Sequence, residues 1–109
     1  MGKKVEKVDV TAEIIREDLK SIRFYYSKKE QFDEFSKVVG PNPIVEVAIK
    51  YNEIAKSAHP RIYHLYCSLY IENKTQEALA HELGFEVQHV QRLHRHLMMH
   101  LQEGLVMGR

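Results

Sequence analysis

Apolar residues recur every three or four positions along most of this chain, which is the spacing of one face of an α-helix. Residues that interrupt helices are few: Gly2, Gly40, Pro41, Pro43, Pro60, Gly84, Gly104 and Gly108. They leave the segments 3–39, 44–59, 61–83 and 85–103, each long enough for a helix. None of these segments shows a sustained alternation of apolar and polar residues. The pattern predicts an all-α protein, a four-helix arrangement with a long N-terminal helix.

The first segment carries a seven-residue apolar repeat at Val5, Val8, Ala12, Ile15, Leu19, Ile22 and Tyr26. Such a stripe has two interpretations: a helix lying on the core of its own domain, or the seam of a coiled-coil dimer. Thr11 or Asp9 is suited to cap its start. The repeat lapses at Lys29, and Phe32 and Phe35 begin a second apolar face. The length of the segment favours self-association, so we expect a homodimer formed through the N-terminal helix.

The motif Gly40-Pro41-Asn42-Pro43 predicts a hinge, because each proline fixes its own φ and disfavours helix in the residue before it. The chain therefore divides into an N-terminal helix at 1–39 that acts as a dimerisation arm, a hinge at 40–43 and a helical domain at 44–109. In the second segment the predicted buried residues are Ile44, Val47, Ala48, Tyr51, Ile54 and Ala55.

A helix-turn-helix is the strongest local pattern, and it spans residues 75–103. Thr75 is suited to cap its first helix, Ala80 is small where two helices cross, and Gly84 tolerates the positive φ of a tight turn. Apolar residues stand at the positions that pack the two helices together: Leu79, Leu83, Phe85, Val90 and Leu93. The preceding stretch, 62–71, is predicted to be a supporting helix with an inward stripe of Ile62, Leu65, Tyr66 and Leu69. The alternative is a plain helical hairpin without a DNA-binding role.

The last helix of this pattern has two different faces at 100° per residue. The predicted buried face contains Val87, Val90, Leu93, His94, Leu97 and Leu101, and the opposite face presents Gln88, Gln91, Arg92, Arg95, His96 and Met99. Arginine reads guanine and glutamine reads adenine in the major groove, mainly from the first half of a recognition helix. The candidate DNA-binding residues are Gln88, His89, Gln91, Arg92 and Arg95.

Charge and composition qualify this prediction. Sixteen Lys and Arg against fifteen Asp and Glu give the chain a net charge of +1, so any binding of nucleic acid depends on a local patch. Residues 61–109 contain five basic and five acidic residues, so we expect one copy to bind DNA weakly. His89, His96 and His100 line one flank of the last helix, where protonation would raise DNA affinity. His96 and His100 are four positions apart, a spacing that can chelate a metal, but no nearby cysteine or carboxylate completes a site, so we expect no metal. No enzyme motif is present, so we expect no cofactor and no catalytic residue. With one cysteine and no apolar run that could cross a membrane, we expect a protein of the bacterial cytoplasm.

The C-terminal segment "KTQEALAHELGF" and the Val-x-x-Leu-x-x-x-Leu helix after it resemble region 4 of sigma factors. A longer stretch, from about Ile14 through "IRFYYSKKEQFDEF", the hinge and "HPRIYHLYCSLYIENKTQEALAHELG" to the last helix, is similar to small phage and prophage transcriptional regulators of the RinA/ArpU type. The resemblance implies binding to promoter DNA and contact with RNA polymerase. Glu86 departs from it, because a serine or threonine is usual at that position.

These observations support a sequence-specific, DNA-binding transcriptional regulator of phage type, whose recognition helix enters the major groove of double-stranded DNA. One alternative is a protein–protein adaptor that holds RNA polymerase or a phage protein. Another is a small DNA-packaging protein like a terminase small subunit, which also joins a helix-turn-helix to an oligomerising helix.

Overall fold

The computed structural model describes residues 11–107, and within this range it contains helices and no strand. The helices are α1 (Ala12–Ser27), α2 (Lys29–Val39), α3 (Pro43–Lys56), α4 (Pro60–Tyr66), α5 (Gln76–Leu83) and α6 (Val87–Val106). A π-helical turn, Cys67–Ile71, continues α4. The predicted all-α class is confirmed. None of the helices among residues 11–107 is both long and apolar enough to cross a membrane.

The single long N-terminal helix of the prediction is two helices, because the chain breaks at Lys28. There φ is −125° and ψ is 27°, outside the helical region. The Ser27 hydroxyl donates to the Phe24 carbonyl oxygen at 2.7 Å, and the backbone N–H of Lys28 bonds to the carbonyls of Phe24 and Tyr25. These bonds close α1 without a glycine or proline, and α2 starts in a new direction with its own apolar face.

The apolar repeat of α1 lies in the core of its own domain. Ile15, Leu19 and Ile22 are buried in one cluster with residues of α3, the α4 segment, α5 and α6. Of the two interpretations of the stripe, the structure agrees with the helix that lies on the core of its own domain. These three side chains are therefore not available to form a coiled-coil seam with another chain. Val5, Val8 and Asp9 lie outside the described residues. Thr11 precedes α1 as its N-cap residue, and its side-chain oxygen accepts from the Ile14 N–H at 3.2 Å.

Helix α3 lies across this core and begins inside the predicted hinge. The Asn42 side chain caps it by accepting from the Ile44 N–H at 2.9 Å, and Pro43 is its first residue, where a missing N–H costs nothing. Ala48, Tyr51, Ile54 and Ala55 are buried as predicted, whereas Ile44 and Val47 are half-buried. The Tyr51 hydroxyl donates to Asp18 at 2.6 Å, which fastens α3 to α1.

The supporting helix is α4 with its π-helical turn. Leu65, Tyr66 and Leu69 are buried on its inner side, and Ile62 is half-buried. The Tyr66 hydroxyl donates to Asn52 at 2.6 Å, and Asn52 donates in turn to Tyr26 at 2.8 Å. The tyrosines therefore pack and hydrogen-bond α1, α3 and α4 together, and they provide the platform on which α5 and α6 rest.

Candidate nucleic-acid interface

A tight turn at Gly84 joins α5 to α6. Gly84 has φ 74° and ψ 26°, the left-handed conformation that glycine adopts without steric cost. The Phe85 N–H reaches back to the Ala80 carbonyl at 2.9 Å, which closes the end of α5. At the start of α5, the Thr75 hydroxyl oxygen accepts from the Ala78 N–H at 3.0 Å. The predicted cap, small residue and turn residue all stand where the pattern placed them.

Buried side chains fix the orientation of α6. Leu79 and Ala80 on α5 face Val90 on α6, and all three are at most 2% exposed. Leu97 and Leu101, both 0% exposed, continue the same side of α6 toward α1 and α3. A helix held along three of its turns cannot rotate about its axis, so the residues on its other side have a fixed direction in space.

The predicted reading residues are on the open side of α6, with one difference. Gln88, Gln91, Arg92 and Arg95 are exposed. His89 is half-buried, because its ring packs edge-to-face on Phe85 with a centroid distance of 4.5 Å. The Arg92 guanidinium lies 3.4 Å from His89 Nδ1, a contact too long to hold it firmly. Four of the five side chains can therefore extend toward a ligand, and His89 supports the turn.

Charged groups around the start of α5 are already paired. The Lys74 ammonium donates to both carboxylate oxygens of Glu82, at 2.9 and 3.1 Å, and lies 3.3 Å from Glu72. The hydrogen bond to Glu82, and then that to Glu72, raises the pKa of Lys74. Arg23 of α1 donates to Asn73 at 3.0 Å and to the Lys74 carbonyl at 2.8 Å. These contacts fix the loop before α5, but they leave little free positive charge beside it.

Glu86 precedes α6 as its N-cap residue, and its backbone is extended with φ −81° and ψ 152°. Its side chain makes no capping hydrogen bond. Serine or threonine at this position would accept from an N–H of the first turn. The carboxylate instead places a negative charge at the end of α6 from which the reading residues extend, which disfavours an approaching phosphate.

A polar contact that the sequence pattern missed connects α6 to the supporting helix. His94 was expected on the buried side and is half-buried, with its Nε2 2.6 Å from the Tyr70 hydroxyl. Burial, and secondarily the positive charge of Arg16, lowers the pKa of His94, and burial raises the pKa of Tyr70. With the proton of the neutral ring on Nδ1, Nε2 accepts and the tyrosine hydroxyl donates. No periodicity indicates this pair, because its members are 24 positions apart on different elements.

The expected flank of three exposed histidines is not formed, because His100 turns toward α3. Its Nε2 lies 2.9 Å from the Ile54 carbonyl oxygen and 3.0 Å from the Ser57 hydroxyl. A carbonyl oxygen can only accept, so Nε2 carries the proton and Ser57 has no base beside it. The pair therefore caps the end of α3 and does not form a nucleophile. Within residues 11–107, no three His, Cys, Asp or Glu side chains form a group that could hold a metal ion.

Comparisons with protein-family models, with curated proteins and with solved structures give no match for this chain. The features of the molecule that indicate a function are the geometry of α5 and α6 and the polar side chains on the open side of α6.

Proposed function

We propose that this chain is a sequence-specific DNA-binding transcriptional regulator of phage type, acting in the bacterial cytoplasm. In this proposal α6 enters the major groove of double-stranded DNA, and Gln88, Gln91, Arg92 and Arg95 contact base edges and phosphates. The observation that carries it is the exposure of these four side chains on a helix whose other side is held by fully buried residues. Arginine and glutamine are the side chains that make paired hydrogen bonds to guanine and adenine.

The positions of the residues along α6 suggest different tasks. Gln88 and Gln91 lie in its first two turns, the part of a recognition helix that reaches the base edges. Arg95 is one turn further than Gln91, where it would contact either a base or a phosphate. His89 would act through the turn, because its ring supports Phe85.

One set of measurements tests the proposal. Fragments bound by the protein are first selected from random DNA and from host-type genomic DNA, at low salt and pH 7, and the enriched site is placed in a labelled duplex. We expect Gln91→Ala and Arg92→Ala each to weaken binding to this site by about 5- to 150-fold, because a bidentate base contact discriminates by about 1–3 kcal/mol. Binding to a scrambled duplex should change much less.

Lys50→Ala provides the control for Arg92→Ala, because it also removes one positive charge. Lys50 lies on α3, beside the C-terminal half of α6 and away from the predicted reading residues. This variant should leave the affinity for the site nearly unchanged. Failure to enrich any site from a folded sample, or equal losses on the site and the scrambled duplex for both α6 variants, would contradict sequence-specific reading.

A protein–protein adaptor is the second candidate, and the paired charges around α5 favour it. Lys74 is neutralised by Glu82 and Glu72, and Arg23 is used inside the fold, so the motif offers few free cations to phosphates. In that case α6 would contact RNA polymerase or a phage protein, and capture by the purified partner would depend on Gln91 and Arg92 in the absence of DNA.

A further inference from the structure

Helix α2 carries an apolar face that nothing in the described part of the chain covers. Among residues 11–107, α2 contacts α1 and no other element, and none of its residues is fully buried. Phe24, at the end of α1, is 55% exposed, and on α2 Phe35 is 60%, Val38 83% and Val39 60% exposed. We call these four side chains, together with the half-buried Phe32, the α2 face.

The α2 face is not flat: it contains both a groove and projecting side chains. A groove of about 350 Å³ runs along it, lined by Phe24, Lys28, Gln31, Phe32 and Phe35. Phe24 and Phe32 meet edge-to-face with their ring centroids 5.9 Å apart, so one wall of the groove is a fixed aromatic pair. Phe35, on the edge of the groove, and Val38, one turn further along α2, are exposed and project from the surface. A surface with both a groove and projections can be complementary to itself across a two-fold axis.

We infer that a second copy of this chain covers the α2 face and forms a two-fold dimer. Charge on α2 supports this occupant. Lys29 pairs with Asp33 at 2.8 Å and Lys37 with Glu34 at 3.5 Å, so most of the charge on the helix is compensated within it. Lys28, which lines the groove, and Glu30 carry opposite charges, so residues 28–39 hold three basic and three acidic side chains and have no net charge. Two copies can therefore meet without net repulsion, and a face with no net charge gives a phosphate backbone, or a strongly acidic or basic peptide, little to bind.

The exposed area agrees with a weak but specific dimer. A fully exposed phenylalanine presents roughly 200 Å², so Phe24 and Phe35 together offer about 230 Å². Val38, Val39 and the open part of Phe32 add a similar area, which gives about 450 Å² per copy and about 900 Å² for the pair. This area is below the roughly 1,000 Å² that a stable interface usually exceeds, and it falls in the range of weak, transient contacts. We expect a dissociation constant in the micromolar range.

This dimer uses a surface different from the predicted one. Ile15, Leu19 and Ile22 of the predicted seam are buried in the core of their own chain. The second apolar face, which begins at Phe32, remains exposed. The inference does not depend on DNA binding. Its consequence for the proposed function is that each dimer would carry two copies of α6.

Sedimentation equilibrium of the full chain, from about 1 to 200 μM protein in the absence of DNA, tests the inference. The wild type should pass from monomer to dimer across this range. Phe35→Ser and Val38→Lys should each raise the dissociation constant at least tenfold. Val38→Lys changes a side chain that is 83% exposed, so it interferes least with folding of the helix. Helical circular dichroism and the thermal midpoint of each variant establish that it is folded.

Ile49→Ser is the matched control. Ile49 is also a large apolar side chain, 54% exposed, but it lies on α3, which does not contact α2 within residues 11–107. This variant should dimerise like the wild type. A wild type that stays monomeric over the whole range overturns the inference. So does a dimer that neither α2 variant weakens, or one that Ile49→Ser weakens equally, because each result places the contact elsewhere. All of these outcomes are independent of DNA binding.

Discussion

The contact between Tyr70 and His94 predicts how the fold responds to acid. The Tyr70 hydroxyl lies 2.6 Å from His94 Nε2, and both side chains are half-buried between α6 and the end of the supporting helix. Protonation of His94 would take away the lone pair that accepts this hydrogen bond and would place a charge in a partly desolvated position near Arg16. The folded state therefore favours neutral His94.

The direction of the pH effect follows from this preference. Burial, and then Arg16, lowers the pKa of His94 from its usual 6.5, whereas the unfolded chain keeps the usual value. Above pH 6.5 the side chain is neutral in both states, and the free energy of unfolding is unaffected. As the pH falls below 6.5, the unfolded chain takes up a proton that the folded chain resists. This residue then lowers stability by up to about 1.4 kcal/mol per pH unit, until the pKa of the folded state is reached.

Two substitutions separate the hydrogen bond from the titration. Tyr70→Phe removes the hydroxyl and leaves the half-buried Nε2 without its partner, so we expect a loss of about 1–2 kcal/mol at pH 8. It keeps the titrating group, so the fall in stability below pH 6.5 should remain. His94→Gln retains an acceptor but cannot titrate, so its stability curve should be flatter than that of the wild type between pH 7 and 5.

Urea unfolding at half-unit pH intervals, followed by circular dichroism, gives the required free energies. If His94→Gln loses as much stability below pH 6.5 as the wild type, another group is responsible for the acid response. If Tyr70→Phe costs less than about 0.3 kcal/mol at pH 8, the hydrogen bond makes no net contribution. Either result refutes this account of the pair.

Two further predictions concern the turn and the start of α6. Gly84→Ala should destabilise the fold by about 1–2 kcal/mol, and the cost comes from the left-handed backbone alone because no atom lies within 4 Å of the added Cβ. Gly84→Asn should cost less, because asparagine tolerates this conformation better than alanine. Equal thermal midpoints for the two variants would contradict this reason. Glu86→Ser should stabilise α6 by about 1 kcal/mol through a new cap and should also strengthen DNA binding by removing a negative charge at the approach to the groove. Glu103→Gln is the control, because it removes one negative charge near the other end of α6. If fluorescence anisotropy shows that both variants gain the same affinity for DNA, the position of the charge at Glu86 does not matter and this reasoning is wrong.

The helices were predictable because their apolar residues are periodic and because glycine or proline marks several of their ends, such as those at Gly40, Pro43, Pro60 and Gly84. Thr11, Thr75 and Gly84 act locally, through hydrogen bonds or φ values within four residues, so the sequence alone located them. The break at Lys28 was missed because it has no glycine or proline. It depends on the Ser27 hydroxyl and on backbone bonds to Phe24 and Tyr25, and serine also occurs within helices.

The parts of the candidate site that were not predictable depend on contacts between distant positions. Arg23 donates to Asn73 and Lys74, 50 and 51 positions away, and His94 accepts from Tyr70 across 24 positions. Helical periodicity assigns a residue to a face but does not say which polar atoms meet there. The exposure of Gln88 and Arg92 could be predicted from helical periodicity, because both lie on the side of α6 opposite its buried residues. The direction of the His100 side chain could not be predicted, because it depends on the end of α3.

A dimer through the α2 face would compensate for the small number of free basic side chains near α5 and α6. Lys74 is neutralised by carboxylates and Glu86 adds a negative charge, so a single copy has few phosphate contacts with which to hold DNA. In the proposed complex, base contacts by α6 would discriminate between sites but would not supply that missing affinity. A dimer through the α2 face would let two copies of α6 bind together, so that the second contact becomes intramolecular and the affinities combine. On this reasoning, Val38→Lys, which leaves α6 untouched, should weaken binding to a paired site and leave binding to a half-site unchanged.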